Sequence, residues 1–121
     1  MSATYELPLL ADQLRGLSHM IDTSTSYADC ETETILWRRC AKVAEEAGEV
    51  ISALIGVTGE NPRKGVTHTM DDVEAELLDV AVTALCAVAH LHDNEVDPVL
   101  LLAAHACRVH ARLKSSIEAT S

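Results

Sequence analysis

Apolar residues recur at helical spacing along nearly all of this chain, and the interruptions between the periodic stretches predict four helices. The first runs from about Leu7 to Ile21, with Pro8 tolerated in its opening turn. Asp22-Thr23-Ser24-Thr25-Ser26 ends it with side chains that compete for backbone hydrogen bonds. The second is the longest, from about Ala28 or Asp29 to Val57. In it Leu36, Cys40, Val43, Ala47, Val50, Leu54 and Val57 alternate spacings of four and three, the pattern of a packing seam. Gly59 is its stop, and Gly59 to Gly65 is a loop on its glycines and proline.

Thr69 reads as the cap of the third helix, with Asp71 and Asp72 in a first turn that favours negative charge. Its apolar stripe is Val73, Leu77, Val80 or Ala81, Ala84, Val88 and Leu91. Asp97 caps the fourth helix with Pro98 at its first position, and the pattern continues to about Ser116, leaving a short polar tail. No strand or internal repeat emerges. The connection between the second and third helices is about ten residues, so these two are expected to lie antiparallel.

Composition narrows the class. The chain has 121 residues, 48 % of them apolar, with no Phe, one Trp and two Tyr. One all-α domain of closely packed aliphatic helices follows, spanning 1–121 with a motif-bearing pair at about 28–91. A formal charge of −10, from 19 acids against 9 Lys and Arg, speaks against a nucleic-acid partner. Met1-Ser2-Ala3-Thr4-Tyr5-Glu6 lacks a basic leader and no apolar run is long enough to span a bilayer, so the expectation is a cytoplasmic protein with no membrane partner. Cys30, Cys40, Cys86 and Cys107 have no CxxC spacing, sit inside helical patterns and read as buried free thiols of a cytoplasmic protein.

The chemistry lies in two short acidic motifs. Glu46-Ala47-Gly48-Glu49 and Glu76-Leu77-Leu78-Asp79 each place two carboxylates three residues apart, nearly on one helix face. Glu46 is flanked by Val43 and Val50, and Glu76 by Val73 and Val80, so these acids border the packing surface. Carboxylates there are costly unless something positive meets them. Measured from the loop, Glu49 lies about as far back along its helix as Glu76 and Asp79 do along theirs. Four acids facing each other would make an oxygen-lined pocket for a hard divalent cation.

Lys42-Val43-Ala44-Glu45-Glu46-Ala47-Gly48-Glu49-Val50, followed after a spacer by Glu76-Leu77-Leu78-Asp79-Val80, resembles the MazG-like branch of the all-α nucleoside triphosphate pyrophosphohydrolases. The basic loop Asn61-Pro62-Arg63-Lys64-Gly65 is similar to the segment that joins the two helices there. The resemblance covers about residues 36–91. It implies a four-helix MazG-like bundle whose core is completed by association into a homodimer or tetramer. It implies Mg²⁺-dependent hydrolysis, with Mn²⁺ as a substitute, of a nucleoside triphosphate to its monophosphate and pyrophosphate. By the same match Glu46, Glu49, Glu76 and Asp79 are metal ligands. Glu45 orients or deprotonates the attacking water. Arg63 and Lys64 supply charge for the leaving pyrophosphate, and Lys42 contacts phosphate or pairs with the glutamate four residues on. Thr83, four residues after Asp79, departs from the polar or acidic group common there.

Other readings compete with this one. Cys86 with His90 and Cys107 with His110 have the helical spacing of a Cys₂His₂ zinc set, should the two helices bring them together. A di-iron carboxylate centre is disfavoured because no Glu-x-x-His occurs. A helical interaction module without catalysis is the remaining alternative. Trp37, nine residues before Glu46, should point to the opposite side of the helix, towards packing or a subunit contact.

Overall fold

The computed structural model describes residues 7–120, and these are all-α: α1 Leu7–Asp22, α2 Thr32–Thr58, α3 Met70–Leu91 and α4 Pro98–Thr120. The stretch Met1 to Glu6, read above for a leader, lies outside the described residues. The most extensive packing is between α2 and α3. Helix α1 lies against α3, and α4 makes smaller contacts with α1 and α3. Among the described residues, no helix is long and apolar enough to cross a membrane.

The helix ends follow local chemistry. Thr69 and Asp72 form a reciprocal capping box: the Thr69 hydroxyl accepts from the Asp72 N–H, and the Asp72 carboxylate accepts from the Thr69 N–H at 2.8 Å. Those bonds hold the Asp72 carboxyl below the usual range, the backbone N–H of Thr69 being the largest cause. Asp97 Oδ1 accepts from the N–H groups of Val99 and Leu100, which makes it the cap of α4 ahead of Pro98. Gly59 closes α2 in the left-handed conformation at φ 70°, and its N–H donates to the Ile55 carbonyl.

Two helix limits differ from the sequence expectation. Helix α2 begins at Thr32, three or four residues late, because 24–30 is wound into turns in which Tyr27, Ala28 and Cys30 donate backwards. Arg38 clamps that segment, stacking over the Tyr27 ring and donating to the Ser26 carbonyl at 2.7 Å. Helix α4 runs on to Thr120 in place of a polar tail from about Ser116.

The seam of α2 is also rotated. Its buried residues are Ile35, Arg39, Ala53 and Gly56, whereas Cys40, Ala47 and Leu54 of the expected seam are exposed. The inward face therefore carries an arginine. Arg39 is 4 % exposed and donates through one guanidinium nitrogen to the Ser18 carbonyl at 2.6 Å, the Ser18 hydroxyl at 3.0 Å and Asp22 at 2.9 Å. Asp22 Oδ2 also meets His90 Nδ1 and the Asn94 side-chain amide, both at 2.9 Å. Asn94 reaches it from a turn in which Asp93 and Asn94 both have positive φ, a conformation these two residue types tolerate better than most. One charge pair and its hydrogen bonds thus fasten α1 to α2, α3 and the turn before α4.

Candidate metal centre

Antiparallel packing of α2 on α3 brings three of the four motif acids together. One carboxylate oxygen each from Glu46, Glu76 and Asp79 lies within 4.8 Å of the other two. Glu46 and Glu76 are half-buried and Asp79 is exposed, so the group opens to solvent on one side. Local sequence puts them there. Val43 and Val50, a turn either side of Glu46, and Val73 and Val80, in the same relation to Glu76, are buried or half-buried at the helix interface.

The electrostatics are those of crowded like charges. Burial pushes the Glu76 carboxyl above the usual range, and repulsion from Asp79, Glu49 and Glu46 adds to it, with the charge of His68 opposing. Glu49 is thus close enough for its charge to be felt at Glu76, but it stands exposed at the rim and outside the three-carboxylate group. Glu45 is exposed as well. Lys42 pairs with both Glu45, at 3.2 Å, and Glu46, at 3.3 Å. The hydrogen bond to Glu45 is the largest cause of the raised Lys42 pKa, followed by that to Glu46. The lysine is therefore intrahelically paired and also covers the edge of the acidic group.

The donor set fits a hard divalent ion. All three ligand atoms are carboxylate oxygens, with no thiolate or imidazole in the group, as Mg²⁺ or Mn²⁺ prefers and Zn²⁺ does not. The four cysteine and histidine residues weighed as a zinc set do not converge among the described residues. Cys86 is buried, with its thiol pushed up by burial and directed at the Leu14 carbonyl; His90 is committed to Asp22. Cys107 and His110 lie exposed on α4.

Two cavities flank the carboxylates. On the loop side, about 220 Å³ is lined by Ser52, Asn61, Lys64, Thr67 and His68 over a floor at Gly56. On the α1 side, about 260 Å³ is lined by Leu17, Ile21, Tyr27 and Val82, with Arg39, Lys42 and Thr83 at its polar edge. Lys64 thus opens on a cavity, whereas Arg63 is an exposed loop residue whose N–H caps Asn61 Oδ1. His68 and Thr67 were missed in the sequence; lying just before the α3 cap, they carried no motif. Their only local signal is a charged loop leading into a helix with acids. Comparison with protein-family models, with characterised proteins and with solved structures finds no match for this chain.

Proposed function

We propose that this protein is a Mg²⁺-dependent nucleoside triphosphate pyrophosphohydrolase of MazG-like type, cleaving between the α- and β-phosphates. The observation that carries the reading is the convergence of Glu46, Glu76 and Asp79 from two antiparallel helices, beside cavities that carry cations but no carboxylate. Glu46, Glu76 and Asp79 would hold the ion, and Glu49 joins them by rotating its exposed side chain about its rotamers. Bound there, Mg²⁺ supplies charge neutralisation for the triphosphate and activation of a water. The protein's own groups then orient the reactants. Glu45 holds or deprotonates the attacking water, with Lys42 steadying its carboxylate, and Lys64 and Arg63 balance charge on the departing pyrophosphate. Cleansing of the nucleotide pool in the cytoplasm is the role such a reaction suits.

The active form in this reading is a homodimer or tetramer. The chain exposes 8937 Å², against about 6,300 Å² for a compact monomer of its mass. The excess, about 2,600 Å² per chain, is what one subunit buries in the larger obligate interfaces. Trp37, 74 % exposed on the side of α2 away from the acids, belongs to that uncovered surface.

The test is release of pyrophosphate and phosphate from a panel of nucleoside triphosphates, with Mg²⁺ and with EDTA, by the wild type and by Asp79→Asn. Mg²⁺-dependent pyrophosphate is expected from the wild type and at least a hundredfold less from the variant. The variant should keep or exceed the metal-free melting temperature, because it removes a charge that repels Glu76. Full activity in Asp79→Asn would overturn the ligand assignment. No release from any substrate would leave a helical interaction module.

A further inference from the structure

Two helix faces stand uncovered, and they match. On α2, Trp37, Ala41, Ala44, Gly48, Ile51 and Ile55 recur at spacings of four and three, and all are exposed. On α4, Leu102, Ala106, Val109, Leu113, Ile117 and Thr120 recur at spacings of three or four, and all are exposed there too. Each stripe runs for about 27 Å along its helix.

The α2 stripe lies behind the acidic group. Ala44 and Gly48, two residues either side of Glu46, point the other way, so one side of α2 offers the carboxylate to α3 and the opposite side is bare. The middle of the stripe is built from small residues, and a Cβ added at Gly48 would meet nothing within 4 Å. A second helix with large aliphatic side chains packs closely on such a face. The α4 stripe supplies those side chains.

Charge favours the same match. Arg108, Arg112 and Lys114 against one acid, Glu118, give α4 a formal charge of +2, so the −10 of the whole chain becomes −12 outside this helix. Acids border the α2 stripe: Asp29, Glu31 and Glu33 precede Trp37, and Glu45 adjoins Ala44, all of them exposed. Two copies of α4 laid on each other would instead set basic residues against basic residues, which is unfavourable. The exposed apolar residues Met70, Leu77 and Leu78 of α3 make a shorter stripe, broken by Glu74. Within its own chain α4 packs against α1 and α3, and Pro98 is its one buried residue.

We infer that α4 of one copy docks across the outer face of α2 in a second copy, and that the exchange is reciprocal. Each chain gives an arm and receives one, which closes a pair about a twofold axis. This rests on the assembly in the function proposed above and names the surfaces that assembly uses. The arm covers Trp37, backs the segment of α2 that carries Glu46, and brings a basic helix to an acidic body. Both contacts draw on the surface that the single chain exposes in excess of a compact monomer.

Trp37 is the only tryptophan in the chain, so its fluorescence reports on this face. In the assembled protein its emission should be blue-shifted and shielded from acrylamide, and dilution or added salt should expose it as the copies separate. Leu113→Glu with Ile117→Glu disables the arm, and Gly48→Lys disables the receiving face with bulk and a like charge. Each should raise the dissociation constant by about tenfold or more in sedimentation and expose Trp37, with helical circular dichroism retained. Should the arm variant misfold, Arg108→Glu with Arg112→Glu takes its place. Mixing the arm variant with Gly48→Lys should recover association, because the intact arm of one meets the intact face of the other. Pairing of α2 with α2, or of α4 with α4, gives no such recovery. Its absence, or an assembled wild type with Trp37 open to acrylamide, would overturn this docking and leave the assembly standing. A monomeric wild type overturns both.

Discussion

Asp22 shows how much of this fold rests on one carboxylate. Burial pushes its carboxyl up, but hydrogen bonds from His90, Asn94 and Arg39 outweigh that and hold it below its ordinary value. A depressed folded value means that the linked stability is complete above the unfolded value of 3.8 and is lost as pH falls through the folded one. The wild type should therefore lose stability steeply below about pH 3.8. Asp22→Asn should flatten that part of the curve. At neutral pH it should cost about 3–5 kcal/mol, because it strands the buried Arg39 guanidinium. Thermal melts from pH 2 to 7 would check both, and an unchanged acid limb would refute the account. None of this was visible in the sequence, where Arg39 belongs to no motif and His90 reads as one of a cysteine–histidine set. The motif acids were more legible. Three of the four converge, and Glu49 stands exposed at the rim, outside the three-carboxylate group.

The α2–α3 connection shows how a loop is pinned to a helix. Gly56 is buried in α2, and a Cβ there would collide with the His68 ring and stand 2.7 Å from Thr67 Oγ1. Those two residues cannot simply move aside, since both of their N–H groups bond the Gly56 carbonyl. Alanine would gain about 0.8–1 kcal/mol of helix propensity. Overpacking would cost about 1–3 kcal/mol. Gly56→Ala should thus be no more stable than the wild type, and it should weaken inhibition by pyrophosphate more than inhibition by nucleoside monophosphate. A more stable variant with unaltered pyrophosphate inhibition would show that the loop does not need this contact. The rotation of α2 goes with a different contact, on the α1 side. Burying Arg39 against Ser18 and Asp22 turns the helix, which brings Ile35 and Ala53 inward and leaves Leu54 and Cys40 outside.

Helix α4 leaves the largest apolar surface unexplained by the chain alone. From Leu100 to Thr120 every residue is exposed, including Leu102, Val109, Leu113 and Ile117, and only Pro98 is buried. A helix with such a stripe needs a covering surface to stay folded. In the proposed oligomer a second copy provides it. Sedimentation should give a dimer or tetramer for the wild type, and Leu113→Glu with Ile117→Glu should shift it towards monomer with loss of Mg²⁺-dependent turnover. A monomeric wild type would refute the assembly and leave the stripe for another partner.

The all-α character, four helices in order, the caps at Thr69 and Asp97 and the stop at Gly59 were all legible in the sequence, because helical period and capping depend on residues within a turn or two of each other. The acidic motifs were legible for the same reason, each being set by spacing along one helix. The rotation of α2 about its axis, the meeting of Glu46 with Glu76 and Asp79, the Asp22 network and the two cavities required the tertiary structure. Each depends on which residues, 17 to 72 positions apart in the hydrogen-bonded cases, are brought together when several helices settle their packing at once. A local pattern sets the faces a helix has to offer; the other helices decide which of them is buried.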